Sequence, residues 1–202
     1  HTTEMLNAMG ARSPALAYAV LLHDVGKPAC ARLVRTKDGM ERLRFDGHAK
    51  EGALVAESIL RRLKMPTRLI EGVTACVRNH MRFMDVRGMR RATLRRMVAE
   101  PTFPTELELH RLDCLCSHGD LSNYEFLMKF LDELRSEPLL PAPWINGHDL
   151  LAMGLSPGPE IGRWIKLAYD EQIEGRVADR AELLKWVVKG IKSSQKSSGT
   201  AT

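Results

Sequence analysis

The stretch LAYAVLLHDVGKPA (residues 16–29) ends an apolar run with His23 and Asp24 side by side, then stops on Gly26, Lys27 and Pro28. Histidines are scarce, seven in the chain, and four stand beside helix-end or polar-turn signals: His1, His23, His48 of FDGHAKEG and His80 of VRNHMRF. Asp24 and Asp113 of HRLDCLCSHGD are their carboxylate companions. Neutral imidazoles and carboxylates are the donor set of a divalent transition metal, and no thiolate need take part. Neighbouring side chains on a helix point about 100° apart, so His23 and Asp24 can converge on one ion only where their helix ends. Gly26 supplies that ending.

Each residue alone has an ordinary alternative, because a histidine near an apolar face is commonly structural and Asp beside Gly commonly serves a turn. His110 falls three residues before Asp113 and would share its helical face, as a partner of the ligands or as a structural residue. His118 reads as a cation at a helix C-terminus. NGHDLL (146–151) repeats the His-Asp pair without the Gly-Lys sequel, so Asp149 reads as the N-cap of a short helix. GLSPGPEIG reads as a packing turn into the next helix.

The elements that must position these residues are helical. Apolar residues recur at helical spacing over 14–23, 50–64, 66–80, 92–99, 105–117, 122–135, 159–173 and 180–191, and period-2 alternation is confined to ERLRFDG. The expected fold is all-α. Pro14, Gly26, Pro28, Pro66, Pro101 and Pro104 punctuate the helices. The proline-rich EPLLPAPWINGHD (137–149) marks a boundary, so the expected organisation is a main domain over 1–136, a helical tail over 137–192 and a small, polar, disordered end over 193–202.

Composition narrows the function classes. At 202 residues, 44% hydrophobic and 27% charged, the chain has the make-up of a globular domain with an extension, and no apolar run reaches the ~18 residues of a membrane span. The chain opens on His1 with no basic-then-apolar leader and reads as a fragment of something longer. Four cysteines without a CxxC pair fit a cytoplasmic protein with reduced thiols and exclude a zinc finger. The net charge of +5 is concentrated locally, with seven arginines between Arg78 and Arg96. Such a run is either a solvated face or a surface for phosphate-bearing partners, with Arg87, Arg91 and Arg95, spaced by four, as its candidate stripe. Aromatic content of 5% argues against single-strand base stacking.

The ordered series His, His-Asp, Gly-His, Asn-His, Asp along successive helices resembles the HD superfamily of metal-dependent phosphohydrolases, over roughly residues 1–118. The resemblance implies an HD-domain helical bundle with a C-terminal helical extension, in which His1, His23, Asp24 and Asp113 hold one ion while His48 and His80 reach a second or line the pocket. Together, LLHDVGKP, FDGHAKEGA, VRNHMRF, HRLDCLCSHG and PAPWINGHDLLAMGLSPGPEIGRWIKLAYDEQIEG look like the C-terminal half of bacterial tRNA nucleotidyltransferases of the poly(A) polymerase and CCA-adding type. In that family an HD domain follows a nucleotidyl-transferring head, whose Gly-Ser and carboxylate-pair signature is absent here. Nucleotide addition is therefore not expected of this chain alone, and an N-terminal head is an expected partner.

Two functions follow from the resemblance. As an enzyme, the chain would be a metal-dependent phosphohydrolase or phosphodiesterase acting on nucleotides or RNA ends, including 2′,3′-cyclic and terminal phosphates. Its ions would be Mn, Ni, Co, Fe or Mg. Asp24 would ligate and orient the attacking water, and Lys27, with Arg82 as a second candidate, would neutralise a phosphate oxygen. As a binding module, it would be a non-catalytic body gripping tRNA, with the arginine run on the backbone.

Overall fold

The computed structural model describes residues 1–10, 13–37 and 39–198. In chain order the elements are α1 (Thr2–Ala8), α2 (Pro14–Leu22), α3 (Lys27–Cys30), β1 (Arg32–Arg35), β2 (Glu41–Arg44), α4 (His48–Arg62), α5 (Thr67–Asn79), a 3-10 helix (His80–Gly88), α6 (Arg91–Val98), α7 (Phe103–Ser117), α8 (Ser122–Glu133), α9 (Gly147–Ala152), α10 (Pro159–Glu174) and α11 (Arg180–Ser198). The fold is all-α. Among the described residues the sole sheet is the antiparallel hairpin β1–β2. Alternation marks only its second strand, because RLVR is too short and too exposed to stand out from a loop. No helix of the described residues is long and apolar enough to cross a membrane.

The chain forms two compact units, His1–Gly88 with Glu100–Glu133, and Met89–Ala99 with the residues from Leu134 onward. In the first, α2 starts on Pro14, whose missing N–H is one the first turn leaves unused anyway. Its Leu16, Ala19 and Val20 pack with Met5, Cys76, Leu109 and Leu112, joining α1, α2, α5 and α7 in one core. A second apolar layer, Ala53, Ala56, Leu60, Ile70, Val73 and Val77, seals α4 against α5. The fully buried carboxylate of Glu106 pairs with Arg82 at 2.6 Å and accepts hydrogen bonds from Asn79 (3.1 Å) and Thr102 (2.7 Å). That network ties the end of α5 and the 3-10 helix to α7, and so steadies the turn that carries His80.

In the second unit Ile145, Leu150, Trp164, Ala168, Val177, Leu183 and Val187 form the core. A single break after residue 136 does not describe this packing, because α6 joins α10. The Ala92 N–H donates to Glu174 at 3.0 Å, and Arg96 pairs with Asp170. Asn146, rather than Asp149, is the N-cap of α9; it accepts from the His148 and Asp149 N–H groups, while Asp149 closes the capping box by accepting from the Asn146 N–H at 2.9 Å. α11 continues to Ser198, so the end expected to be disordered from residue 193 is helical that far, and 199–202 lie outside the described residues.

Arg95 is buried on the inner face of α6 and donates to the carbonyls of Pro138 (2.5 Å) and Leu139 (2.8 Å) and to Glu137 (2.9 Å). Arg95→Ala removes all three bonds and the packing of the side chain. The expected loss is about 2 kcal/mol or more, read as a lower urea midpoint at unchanged slope.

Candidate metal centre

Three histidines are held by one local device. His23 at the end of α2, His48 at the start of α4 and His80 at the start of the 3-10 helix each donate the Nδ1 hydrogen to the carbonyl three residues earlier. The acceptors are Val20 (2.9 Å), Phe45 (2.8 Å) and Val77 (2.7 Å). These partners assign the proton to Nδ1, which leaves each Nε2 with a lone pair turned toward Asp24, the arrangement outer hydrogen bonds impose on metal-ligating histidines. The Nε2 atoms of His48 and His80 stand 3.1 Å apart, lone pair to lone pair. His23 Nε2 is buried with no hydrogen-bond donor, 3.2 Å from Asp24 Oδ2 and 4.0 Å from Asp113 Oδ1. Acceptors brought so close repel each other unless a proton or a cation lies among them.

The six candidate ligands converge in two groups, His1–His23–Asp113 and Asp24–His48–His80, each with its three donor atoms within 4.8 Å of one another. His1 Nε2 lies 2.9 Å from Asp113 Oδ1. Asp24 faces both groups, with Oδ2 toward His23 and Oδ1 3.5 Å from His48 and 3.9 Å from His80. The expected grouping put Asp24 with His1, His23 and Asp113. The geometry instead puts this carboxylate between the groups, because it follows His23 at the point where α2 gives out.

The electrostatics favour positive charge here. Burial opposes protonation of His23, yet the Asp24 carboxylate beside it, the Val20 hydrogen bond and the Asp113 carboxylate outweigh it and raise its pKa. Burial likewise opposes ionisation of Asp24, but the His23 ring beside it and the Lys27 hydrogen bond hold it well below the usual carboxylate range. His80, with burial dominant, is pushed down and stays neutral. The unpartnered His23 Nε2, the facing Nε2 atoms of His48 and His80 and the two carboxylates together fit a divalent cation.

The centre opens into a cleft of about 960 Å³, whose other walls include Arg44, Phe45, Met81, Met84 and His110. A model of the HD domain family matches residues 1–116. The chain belongs to the HD-domain family. Over 190 residues the chain is 35% identical to the CC-adding tRNA nucleotidyltransferase of Thermus thermophilus, covering 90% of this chain and 42% of that protein. It is 30% identical over 196 residues to the A-adding tRNA nucleotidyltransferase of Deinococcus radiodurans, covering 90% of this chain and 44% of that one. The chain thus spans less than half the length of these curated relatives. No solved structure gives a significant match.

The HD cleft does not use the arginines as expected. Arg82 is committed to Glu106 and Glu100, the latter at 2.7 Å, so it does not point a spare charge at the cleft. Arg87 belongs to the first unit, bonded to Asn123 and the Ser122 carbonyl, whereas Arg91 is partly buried at the start of α6 and Arg95 is buried in the second unit. Spacing by four does align positions on a helix, but α6 turns Arg95 inward onto residues 137–139, and Arg87 precedes the helix. The outward stripe therefore does not form. Lys27 does reach the site, donating to Asp24 Oδ2 at 2.6 Å. His110 is buried and stacked on Phe83 at 5.0 Å between ring centres, with no hydrogen bond to the six candidate ligands, and His118 accepts the Asp120 N–H. Glu106 and the carbonyls of Val20, Phe45 and Val77 went unread in the sequence; the three-residue backward reach of a histidine at a helix end is the one signal that could have found the carbonyls.

Proposed function

We propose that this cleft is a metal-dependent phosphohydrolase or phosphodiesterase site for phosphoesters of nucleotides or RNA ends, 2′,3′-cyclic and terminal phosphates among them, within a tRNA nucleotidyltransferase-like protein. The observation that carries the reading is the convergence of three carbonyl-anchored imidazoles with two carboxylates, one of them facing both groups. His1, His23 and Asp113 would hold one ion, and Asp24, His48 and His80 a second. A bound ion supplies hydroxide from water near neutral pH and charge neutralisation at the phosphoryl oxygens. Four imidazoles in the donor set favour Mn, Fe, Co or Ni over Mg. Asp24 orients the water by accepting its hydrogen bond, and Lys27, half exposed beside it, meets a non-bridging phosphate oxygen.

The likeness to two tRNA nucleotidyltransferases over 90% of the chain supports a second reading, a non-catalytic tRNA-binding body that works with a separate nucleotidyl-transferring head. In either reading the partners are tRNA, RNA 3′ ends or nucleotides. The cytoplasm is the setting, in keeping with four cysteines that form no disulfide.

Metal loading separates the readings. Elemental analysis of the purified protein should find bound transition metal, and adding Mn, Ni or Co to metal-stripped protein should stabilise it by about 2.7 kcal/mol at a hundredfold excess over Kd. The same metals should switch on hydrolysis of nitrophenyl phosphoesters and 2′,3′-cyclic nucleotides. Absence of both metal uptake and turnover leaves the binding body standing and sinks the enzyme.

A further inference from the structure

The hairpin β1–β2 sets Arg32 against Arg44 with no carboxylate partner for either among the described residues. Every residue of both strands is exposed. The register sets Arg32 directly opposite Arg44 and Val34 opposite Arg42, so that Arg32, Arg42 and Arg44 share one face. The one acid of the two strands, Glu41, is on the other face, opposite Arg35. Like charges directly opposite on a hairpin destabilise it, and no carboxylate among the described residues pairs with Arg32 or Arg44. Elsewhere in the same unit Arg61, Arg82 and Arg111 each hold a carboxylate. The basicity left open to partners therefore includes a strand pair that runs straight into the cleft: Arg44 and Phe45 line it, and the Phe45 carbonyl anchors His48.

We propose that the Arg32, Arg42 and Arg44 face of the hairpin is a phosphate-backbone track for single-stranded RNA, leading the strand's end to the cleft. This rests on the reading of the cleft as a site for RNA ends. Guanidinium groups suit phosphate oxygens, and a polyanion converts the repulsion between Arg32 and Arg44 into shared attraction. Contacts of this kind read no sequence, which suits a site that must accept different ends.

The test is fluorescence anisotropy of a short 5′-fluorescein single-stranded RNA against the full chain, over a series of salt concentrations and in EDTA, so that neither metal nor turnover enters. The unmodified protein should bind with a salt dependence that the double variant Arg32→Gln, Arg44→Gln reduces by about 1.4 in the slope of log K against log salt, about 0.7 for each lost phosphate contact. The pair Arg32→Lys, Arg44→Lys should keep the slope, because charge is what the track supplies. Neither variant should melt below the unmodified protein, since both side chains are exposed and the Gln pair relieves a repulsion. Unchanged affinity and slope in the Gln variant overturn the proposal. So does equal loss in the Lys variant, competition by poly-glutamate as effective as that by RNA, or sedimentation showing that binding follows self-association through the exposed Leu33, Met40 and Leu43. Loss of hydrolysis in the metal assay with this binding intact would fault the enzyme reading and leave the track.

Discussion

Asp24→Ala gives a folded protein that takes up little metal and turns over phosphoesters far more slowly. The carboxylate is the one donor that faces both groups, toward His23 through Oδ2 and toward His48 and His80 through Oδ1. Its loss leaves two imidazoles in one group and removes the neighbour that favours positive charge on His23. Residues outside the ligand set typically change metal affinity or activity by about 10–100-fold, and a shared ligand should exceed that range. The fold should persist, because Asp24 sits at a helix end and contributes no apolar packing. Far-ultraviolet circular dichroism, metal stoichiometry and turnover measured on one sample decide the matter, and full turnover in a folded variant removes Asp24 from the chemistry. A pH signature accompanies it. The Asp24 carboxyl has its folded pKa lowered, so in metal-free protein its contribution is present above the unfolded value of about 4 and is lost as pH falls through the folded one. Acid unfolding of the metal-free variant should accordingly depend less steeply on pH below about 4 than that of the unmodified protein.

Gly26→Ala should be the more damaging change to the fold. A Cβ at this position would overlap the His48 carbonyl oxygen and lie 2.5 Å from the Gly52 nitrogen and 2.9 Å from its Cα, all backbone atoms that no rotamer change can move. The start of α4 would have to shift, taking His48 away from His80 and Asp24. An expected loss of about 3 kcal/mol or more follows, at the upper end of overpacking. Gly52→Ala is the informative control, because its Cβ meets the Gly26 nitrogen at 3.2 Å and the flexible Val77 Cγ1 at 3.4 Å, and should cost about 1 kcal/mol. Urea midpoints of the two variants compare these directly. Equal stability of Gly26→Ala and the unmodified protein would mean that α4 yields freely, and His48 could not then be held as described.

Gly26 also illustrates what the sequence makes legible. It reads as a helix stop, and it is one, but its φ of −81° suits any residue, and the need for glycine comes from the approach of α4. Periodicity exposed α4, α5 and α10 within a few residues, since each buries an apolar stripe, whereas α2, apolar throughout, reads as helix because Pro14 and Gly26 bracket it. The order of the ligands was readable through a family likeness. Their division about Asp24 was not, because it depends on carbonyls of Val20, Phe45 and Val77 that carry no side-chain signature. Arg95 was misread for a related reason: spacing reports that residues share a face and is silent about which way the face turns.

The membership of α6 bears on how the chain is made. A ribosome releases Ala92, Leu94, Met97 and Val98, the side chains α6 buries, well before it reaches α10, the helix that contacts α6. At ~5–20 residues per second that apolar face waits about 4–15 s for its partner, while the chain on either side is already finishing the first unit. Chaperone binding during synthesis should accordingly peak on nascent chains ending between α6 and α10 and fall once Glu174 has emerged.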